Sequence, residues 1–412
     1  MRSAKMLARA LGVEGVVVED VLFEGEEAFV LRVRPRARSS RRCSQCMERC
    51  PGYDAGGGTR RWRARDLGLM RAYVEAEAPR VECPTHGVAV AHVPWARPGS
   101  GFTKSFEETV AWLVVRTDKT TVSGLLGIAW RTVGSIIERV SDEMKELQDP
   151  FAGVTRIGID EVSYRKGHQY LTVVVDHDTG RLLWAEKGHD ERTLTRFFRA
   201  LGKAGCTAIE LVSADAASWI GKVVREHCPN AALCIDPFHV VQWATNAVDE
   251  VRRKLWNKLR RTGEASKAAT MKGTRWALVK NPEDLTAQQR KKLREVERDN
   301  QPLYRAYLLK EQLREVFKTK GYQAVFMIDD WLAWASRSKL APFVKLARSI
   351  RNHRRGIDSA LVHGLSNGRV EAANAKLRLL TRMAFGFHSH TPLIALAMLR
   401  LGGLCPPLPA LA

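Results

Sequence analysis

The chain has 412 residues, with 66 Lys and Arg against 45 Asp and Glu for a formal charge of +21, and its sequence pI is about 9.9. A hydrophobic content of 45% excludes wholesale disorder, and at about 100–200 residues per domain the length accommodates two to four domains. Such a charge excess gathers polyanions, so nucleic acid is the first partner to consider.

No run reaches the ~18–20 apolar residues of a bilayer span, and Arg9 sits inside the one apolar patch of the N-terminus. The expectation is no signal peptide, no membrane partner and a cytoplasmic location. The 8 cysteines are too sparse for a secreted disulfide scaffold, which also fits a reducing cytoplasm. Cys206, Cys228, Cys234 and Cys405 stand among apolar residues and read as buried small hydrophobes.

Residues 28–38, AFVLRVRPRAR, alternate as a half-buried strand does, and Cys43 and Cys46 follow in a C-x-x-C knuckle. The strand-like RAYVEAEAPRVE returns the chain to a second knuckle, Cys83-Pro84-Thr85-His86. Two knuckles on hairpins supply the four N/S ligands of tetrahedral zinc, so one structural Zn²⁺ is expected on Cys43, Cys46, Cys83 and His86 in a small ribbon. Cys50 is a substitute ligand or a bystander.

Residues 103–149 read as three helices arranged as a helix-turn-helix. Thr120 or Thr121 caps the middle helix, Gly127 supplies the turn, and Val133, Ile136, Ile137 and Val140 recur at helical spacing. In that geometry the second helix of the pair enters the major groove, bringing Trp130, Arg131, Thr132 and Ser135 to DNA.

Beyond Pro150 the pattern changes to TRIGIDEVSY, QYLTVVVDHDTG and RLLWAEKG, three strand-like runs with hairpin punctuation at Asp178-Thr179-Gly180. ERTLTRFFRALG is an amphipathic helix, AIELVSAD a strand, SWIGKVVREH a helix, AALCID a strand, and FHVVQWATNAVDEVRRKLW opens a long helix. The order β-β-β-α-β-α-β-α predicts an α/β, RNase H-like sheet with helices on both faces. The expected domains are a zinc-ribbon DNA-binding region at 1–98, the helix-turn-helix at 99–150, a catalytic core at 151–256, a mainly helical insertion at 257–360, and the rest of the core at 361–403.

Asp160 ends the first strand of that core and Asp215 the fourth, and those strands are neighbours in the proposed sheet. Paired carboxylates at strand ends suit Mg²⁺, which takes oxygen ligands and keeps positions for water and phosphate. Glu371, in the helix-opening run LSNGRVEAANAKLRLL, is the best third carboxylate; Ser366 or Asn367 caps that helix, and Glu371, Asn374 and Arg378 share a face. Glu161, Lys166 and His168 follow Asp160 in the short basic turn EVSYRKGHQY and either position phosphates or a flipped base, or form a solvated loop. Arg378 and Arg382, with the FGFHSH turn at Phe385 and Phe387, have the guanidinium and aromatic groups that suit DNA ends, although the two phenylalanines also read as core.

The blocks GIDEVSYRKGHQYLTVVVDHDTGRLLW, VSADAASW, VREHCPNAALCIDPFHVV and LSNGRVEAANAKLRLLTRMAFGF resemble those of the DDE transposases of bacterial insertion sequences, most closely the ISL3 family. The resemblance covers almost the whole chain and departs from the family at His86, where the second knuckle ends in His rather than Cys. It implies that Asp160, Asp215 and Glu371 are the catalytic triad and that Asp236 and His239 form an accompanying D-x-x-H element. It further implies two Mg²⁺ ions, with Mn²⁺ as a substitute, serving strand cleavage and transfer on double-stranded transposon-end and target DNA, with a homodimer or higher oligomer on that DNA. Asp236 also ends a strand and is the alternative second carboxylate; Asp215 is preferred because its strand adjoins that of Asp160. A catalytically inactive DNA-binding regulator and an RNase H-like nuclease or resolvase are the rival functions.

Overall fold

The computed structural model describes residues 2–384, 387 and 389–409. The chain forms two compact units, Met1–Pro150 with Leu379–Ala412, and Phe151–Arg378. Among the described residues no helix is long and apolar enough to cross a membrane.

The first unit opens with α1 (Arg2–Ala10), β1 (Val16–Glu24) and β2 (Ala28–Pro35). Then come β3 (Gly52–Asp54), β4 (Thr59–Arg63), β5 (Arg71–Glu77), β6 (Arg80–Cys83) and β7 (Gly87–Val90). One sheet runs β1-β2-β5-β4 and a smaller one β3-β6-β7. Alternation in β2 and β5 turns Phe29, Leu31, Val33, Ala72, Val74 and Ala76 onto one face, where they meet Trp62, Trp95 and Leu11. On the solvent side Arg61 pairs with Glu24 at 2.8 Å and Glu75 at 3.1 Å across the strands.

Helices α2 (Lys104–Val114), α3 (Lys119–Leu126) and α4 (Trp130–Leu147) complete the helix-turn-helix. Its α3 cap is Asp118 rather than Thr120 or Thr121: Oδ1 accepts from the backbone N–H groups of Thr120 at 2.8 Å and Thr121 at 3.0 Å. A cap must sit in extended backbone just before the first helical residue, and both threonines are already inside the helix. Gly127 ends α3 at φ 58° in the left-handed region, as the turn requires. Glu107, fully buried, is held by Arg97 at 3.1 Å and Arg139 at 2.5 Å, tying the preceding loop to the helices.

The second unit begins with β8 (Arg156–Arg165), β9 (Gln169–Asp176), β10 (Leu182–Lys187), α5 (Glu191–Ala208), β11 (Leu211–Ala214), α6 (Ser218–His227), β12 (Ala232–Ile235) and α7 (Pro237–Arg261). The sheet order is β10-β9-β8-β11-β12, antiparallel through β8 and parallel from β8 to β12. This is the RNase H-like arrangement. Ile157, Ile159, Val174 and Val212 face Phe197 and Phe198 of α5 and Ile220 and Val224 of α6.

The helical block continues as α8 (Ala265–Gly273), α9 (Arg275–Val279), α10 (Ala287–Asp299), α11 (Gln301–Lys318), α12 (Tyr322–Arg337), α13 (Ala341–Asn352) and α14 (Arg354–His363). Its core gathers Val240 and Val248 of α7 with Leu309, Leu313, Trp331 and Phe343. Helix α15 (Gly368–Met383) then covers the second face of the sheet. Gly158 of β8 lies so close to it that a Cβ there would stand 2.3 Å from Cγ2 of Val370. The last helix, α16 (His390–Leu401), belongs to the first unit and packs on α4.

Candidate functional site

Strand register brings three aspartates level. Ser213 of β11 pairs with Gly158 of β8, and Ala214 pairs with Ile235 of β12. Asp160 lies inside β8 rather than at its end, because pairing with β9 carries the strand on to Arg165. Asp215 and Asp236 directly follow β11 and β12, so the three aspartates align across three neighbouring parallel strands. At about 4.8 Å between strands, Asp160 is one spacing from Asp215 and two from Asp236. Asp160 shares the parity of Gly158, hence the α15 face of the sheet.

Asp160 accepts the backbone N–H of Glu161 at 2.7 Å on Oδ1 and the side-chain amide of Asn374 at 2.8 Å on Oδ2. Burial raises its pKa, the negative charges of Asp215 and Asp236 raise it further, and His239 opposes them. Burial and the charges of Asp215 and Asp160 likewise push Glu161 up to about 7. The cluster therefore concentrates negative charge that a cation would relieve.

Asp236 and Asp215 differ in how far they are occupied. Asp236 is 1% exposed, with Oδ1 accepting the N–H of Asn367 at 3.1 Å and Oδ2 paired to Nδ1 of His239 at 2.9 Å. That hydrogen bond raises the pKa of His239. Asp215 is partly exposed and accepts the N–H of Ala217 at 2.9 Å on Oδ1. Its Oδ2 has no partner among the described residues.

Asn367 fixes the start of α15 against the strand ends. Its carbonyl accepts the first helical bond from Glu371 N at 2.8 Å, so of Ser366 and Asn367 it is Asn367 that holds the cap position. The side chain bonds to the sheet instead: Nδ2 reaches the Ile159 carbonyl at 3.4 Å and Oδ1 accepts the Ser213 hydroxyl. With its proton directed there, Ser213 Oγ accepts from Nε2 of His177 at 2.6 Å. Burial, reinforced by Arg369, lowers the His177 pKa to about 4 and keeps the ring neutral. His177 lies in a turn just beyond β9, Ser213 is a lone polar residue in β11, and Asn367 precedes α15, so their bonding to one another escapes a motif-based reading.

Helix α15 turns Asn374 onto Asp160 and leaves Glu371, one turn earlier, exposed. Arg378 is exposed on the same helix, and Lys166 and His168 are exposed in the β8–β9 turn. Oδ1 of Asn374 is buried with no hydrogen-bond partner, a deficit of about 1–3 kcal/mol unless something fills it. An all-oxygen donor set with an unfilled acceptor fits a hard divalent cation.

The zinc ligands meet in the first unit. One ligand atom from each of Cys43, Cys46, Cys83 and His86 falls within 4.8 Å of all the others. Sγ of Cys46 is 3.6 Å from Sγ of Cys83, and Nδ1 of His86 is 3.7 Å from Cys43 and 3.5 Å from Cys83. A tetrahedron with ~2.3 Å Zn–S bonds has edges of about 3.8 Å, so these separations fit zinc. The N–H of Gln45 donates to Sγ of Cys43 at 3.4 Å, which suits a ligating thiolate. Cys50 is a bystander; its thiol donates to the Glu48 carbonyl at 3.4 Å and lies outside the four.

Comparison with known proteins follows the same division. The model described as "Transposase" of the ISL3 type matches residues 157–397. The "Helix-turn-helix domain of transposase family ISL3" matches 91–141, and the "zinc-finger of transposase IS204/IS1001/IS1096/IS1165" matches 39–86. The chain is 50% identical to the transposase for insertion sequence element IS1557 of Mycobacterium tuberculosis, covering 99% of this chain and 98% of that one. The chain belongs to the ISL3 transposase family. It is also 26% identical to the transposase for insertion sequence element IS1001 of Bordetella parapertussis, covering 94% of this chain and 95% of that one.

In this transposase the helix-turn-helix presents Arg131 and Ser135 exposed near the start of α4, with Thr132 partly buried. Trp130 carries a structural contact, since the Lys119 ammonium stands 3.3 Å from its ring centroid. Burial lowers the pKa of that lysine to about 8. Arg382 is exposed near the end of α15, Phe387 is buried as core, and Phe385 lies outside the described residues.

Proposed function

We propose that this transposase uses Asp160, Asp215 and Glu371 as its triad, holding Mg²⁺ or substituting Mn²⁺, to cut and join DNA at the terminal inverted repeats of its element. The observation that carries the reading is the level placement of Asp160 and Asp215 on adjacent parallel strands. Their family, and relatives named as insertion-sequence transposases, supply the reaction class. The bound metal supplies Lewis-acid polarisation of the phosphate and an activated oxygen nucleophile.

The protein's own part is orientation. Glu161 N–H and Asn374 fix both oxygens of Asp160, whereas Asp215 keeps Oδ2 uncommitted for a ligand. Asp236 is occupied by Asn367 and His239, which favours it as an accessory that seats α15 rather than the second triad carboxylate. Glu371 is exposed on α15, one turn before Asn374, and is the third carboxylate of this reading. In this reading the zinc ribbon of 1–98 and the helix-turn-helix of 99–150, led by Arg131, Thr132 and Ser135, bind the ends. The core of 151–256, completed by the Glu371-bearing part of 361–403, carries chemistry, and the basic insertion of 257–360, with Lys166, His168, Arg378 and Arg382, holds phosphates. Two ends are brought together by at least a homodimer, in the cytoplasm.

The test is cleavage of a labelled duplex carrying the element end. Asp215→Asn abolishes the Mg²⁺-dependent cut, and Asp236→Asn leaves residual activity. The reverse result assigns the second carboxylate to Asp236. Joined products in addition to cut ones separate a transposase from a stand-alone nuclease, and absence of both products with the wild-type chain points to the DNA-binding regulator.

A further inference from the structure

Beside the carboxylate of Asp160 stands one amide whose hydrogen bonding is half complete. Asn374 is 1% exposed, and its Nδ2 donates to Oδ2 of Asp160 at 2.8 Å. An ionised carboxylate can only accept, so the donor end of the amide must face Asp160 and Oδ1 remains as an acceptor. That oxygen is buried and has no hydrogen-bond partner among the described residues. The position is not loosely held, because Asn367 registers α15 against β8, β11 and β12 through Ile159, Ser213 and Asp236.

A residue serving packing alone needs no acceptor here; leucine would occupy a similar volume without an unpaired polar atom. A hard cation needs oxygen ligands, and a neutral amide oxygen adds one without placing another negative charge beside Asp160 and Asp215. We infer that Asn374 is a further residue of the metal site, holding Asp160 through Nδ2 and presenting Oδ1 to the divalent cation or to its hydrating water. The inference rests on the reading of Asp160 and Asp215 as metal ligands and adds to it a residue outside the Asp-Asp-Glu set.

Binding of Mn²⁺ alone to the full-length protein, followed by the electron paramagnetic resonance signal of free Mn²⁺, tests it without reference to activity. Asn374→Leu weakens Mn²⁺ binding at least about tenfold, the lower end of what loss of a supporting group costs a metal site, while far-ultraviolet circular dichroism stays that of the wild type. A folded Leu variant that binds Mn²⁺ within twofold of wild type overturns the inference. Asn374→Asp keeps an acceptor oxygen and binds within about threefold of wild type or more tightly; a loss as large as that of Leu overturns the inference, and this arm decides the matter if the Leu variant does not fold. Asp160→Asn distinguishes the two levels. If it leaves Mn²⁺ binding intact, the carboxylate site itself is wrong; if it abolishes binding while both Asn374 variants bind normally, only the role of Asn374 falls.

Discussion

The zinc ribbon and the carboxylate cluster each bring polar side chains together at one place, and they are built in opposite ways. The ribbon is local: two knuckles lie within residues 43–86, and the β6–β7 turn carries the second one back to the first. The carboxylate cluster is topological, with Asp160, Asp215, Asp236 and Asn374 drawn from four separate elements and made neighbours by sheet order and by the placement of α15. A local site stands or falls with its own ligands. A topological one depends on residues, such as Asn367, that touch no ligand and only set register.

The sharpest way to break that contrast is to damage each site and measure the function of both. Asp160→Ala should reduce Mg²⁺-dependent end cleavage by at least about a thousandfold, since metal polarisation supplies much of the rate, while gel-shift affinity for the element end stays within about twofold. An equal loss of binding would mean that the cluster also anchors DNA. Cys83→Ser should leave the chain with no tightly bound Zn²⁺, where the wild type holds about one, and unfold the ribbon, because structural zinc contributes on the order of 10 kcal/mol to small metal domains. Elemental analysis and proteolysis of residues 39–90 check it; a zinc-free wild type with an intact ribbon would refute the site.

How much is legible in the sequence follows the same contrast. The ligands Cys43, Cys46, Cys83 and His86 are evident from spacing, and strand punctuation is enough for the β-β-β-α-β-α-β-α order of the core. Asp118 is hidden as a cap because Thr120 and Thr121, which also serve as cap residues, follow within three positions, and only backbone conformation tells which residue precedes the first helical turn. The network of His177, Ser213 and Asn367 is not legible at all. His177 sits in a DHDTG run that signals a solvated hairpin, yet it is 6% exposed and bonded into the sheet.

That buried network makes the core acid-sensitive in a calculable direction. His177 has a folded pKa of about 4 against an ordinary value of 6.5. The depressed value means that stability is fully present above about pH 6.5 and is lost as pH falls toward 4, because the unfolded chain takes up the proton first. At ~1.4 kcal/mol per pH unit the loss is at most roughly 3 kcal/mol. Urea unfolding of the wild type and His177→Gln at pH 7 and pH 5 measures it: the variant should lose less stability between the two pH values. Identical losses would assign acid sensitivity elsewhere. Asn367→Ala, which removes the side-chain bonds to Ile159 and Ser213, should lower stability by about 1–3 kcal/mol at either pH and slow cleavage without altering end affinity.

The smallest effects separate two ways of holding DNA, and they test whether recognition, like zinc binding, is a local property. Arg131 is exposed at the first turn of α4, where a groove-reading helix meets bases, whereas Lys291 and Arg294 are exposed on α10, outside the helix-turn-helix. Lys292 is less suited to the comparison because its ammonium is bound to the Gly273 carbonyl at 3.2 Å. Replacing Arg131 by Ala should lower the ratio of end binding to random-duplex binding by roughly five- to tenfold, a loss of about 1–1.4 kcal/mol at the low end of a bidentate pairing with a base. Lys291→Ala with Arg294→Ala should weaken both duplexes alike and flatten the dependence of log K on log salt by about 0.9 for each phosphate no longer neutralised. A salt series on the two duplexes measures both. Should Arg131→Ala leave the ratio unchanged while the α10 pair lowers it, sequence reading belongs to the helical insertion, and specificity in this transposase is as much a product of its topology as the carboxylate cluster is.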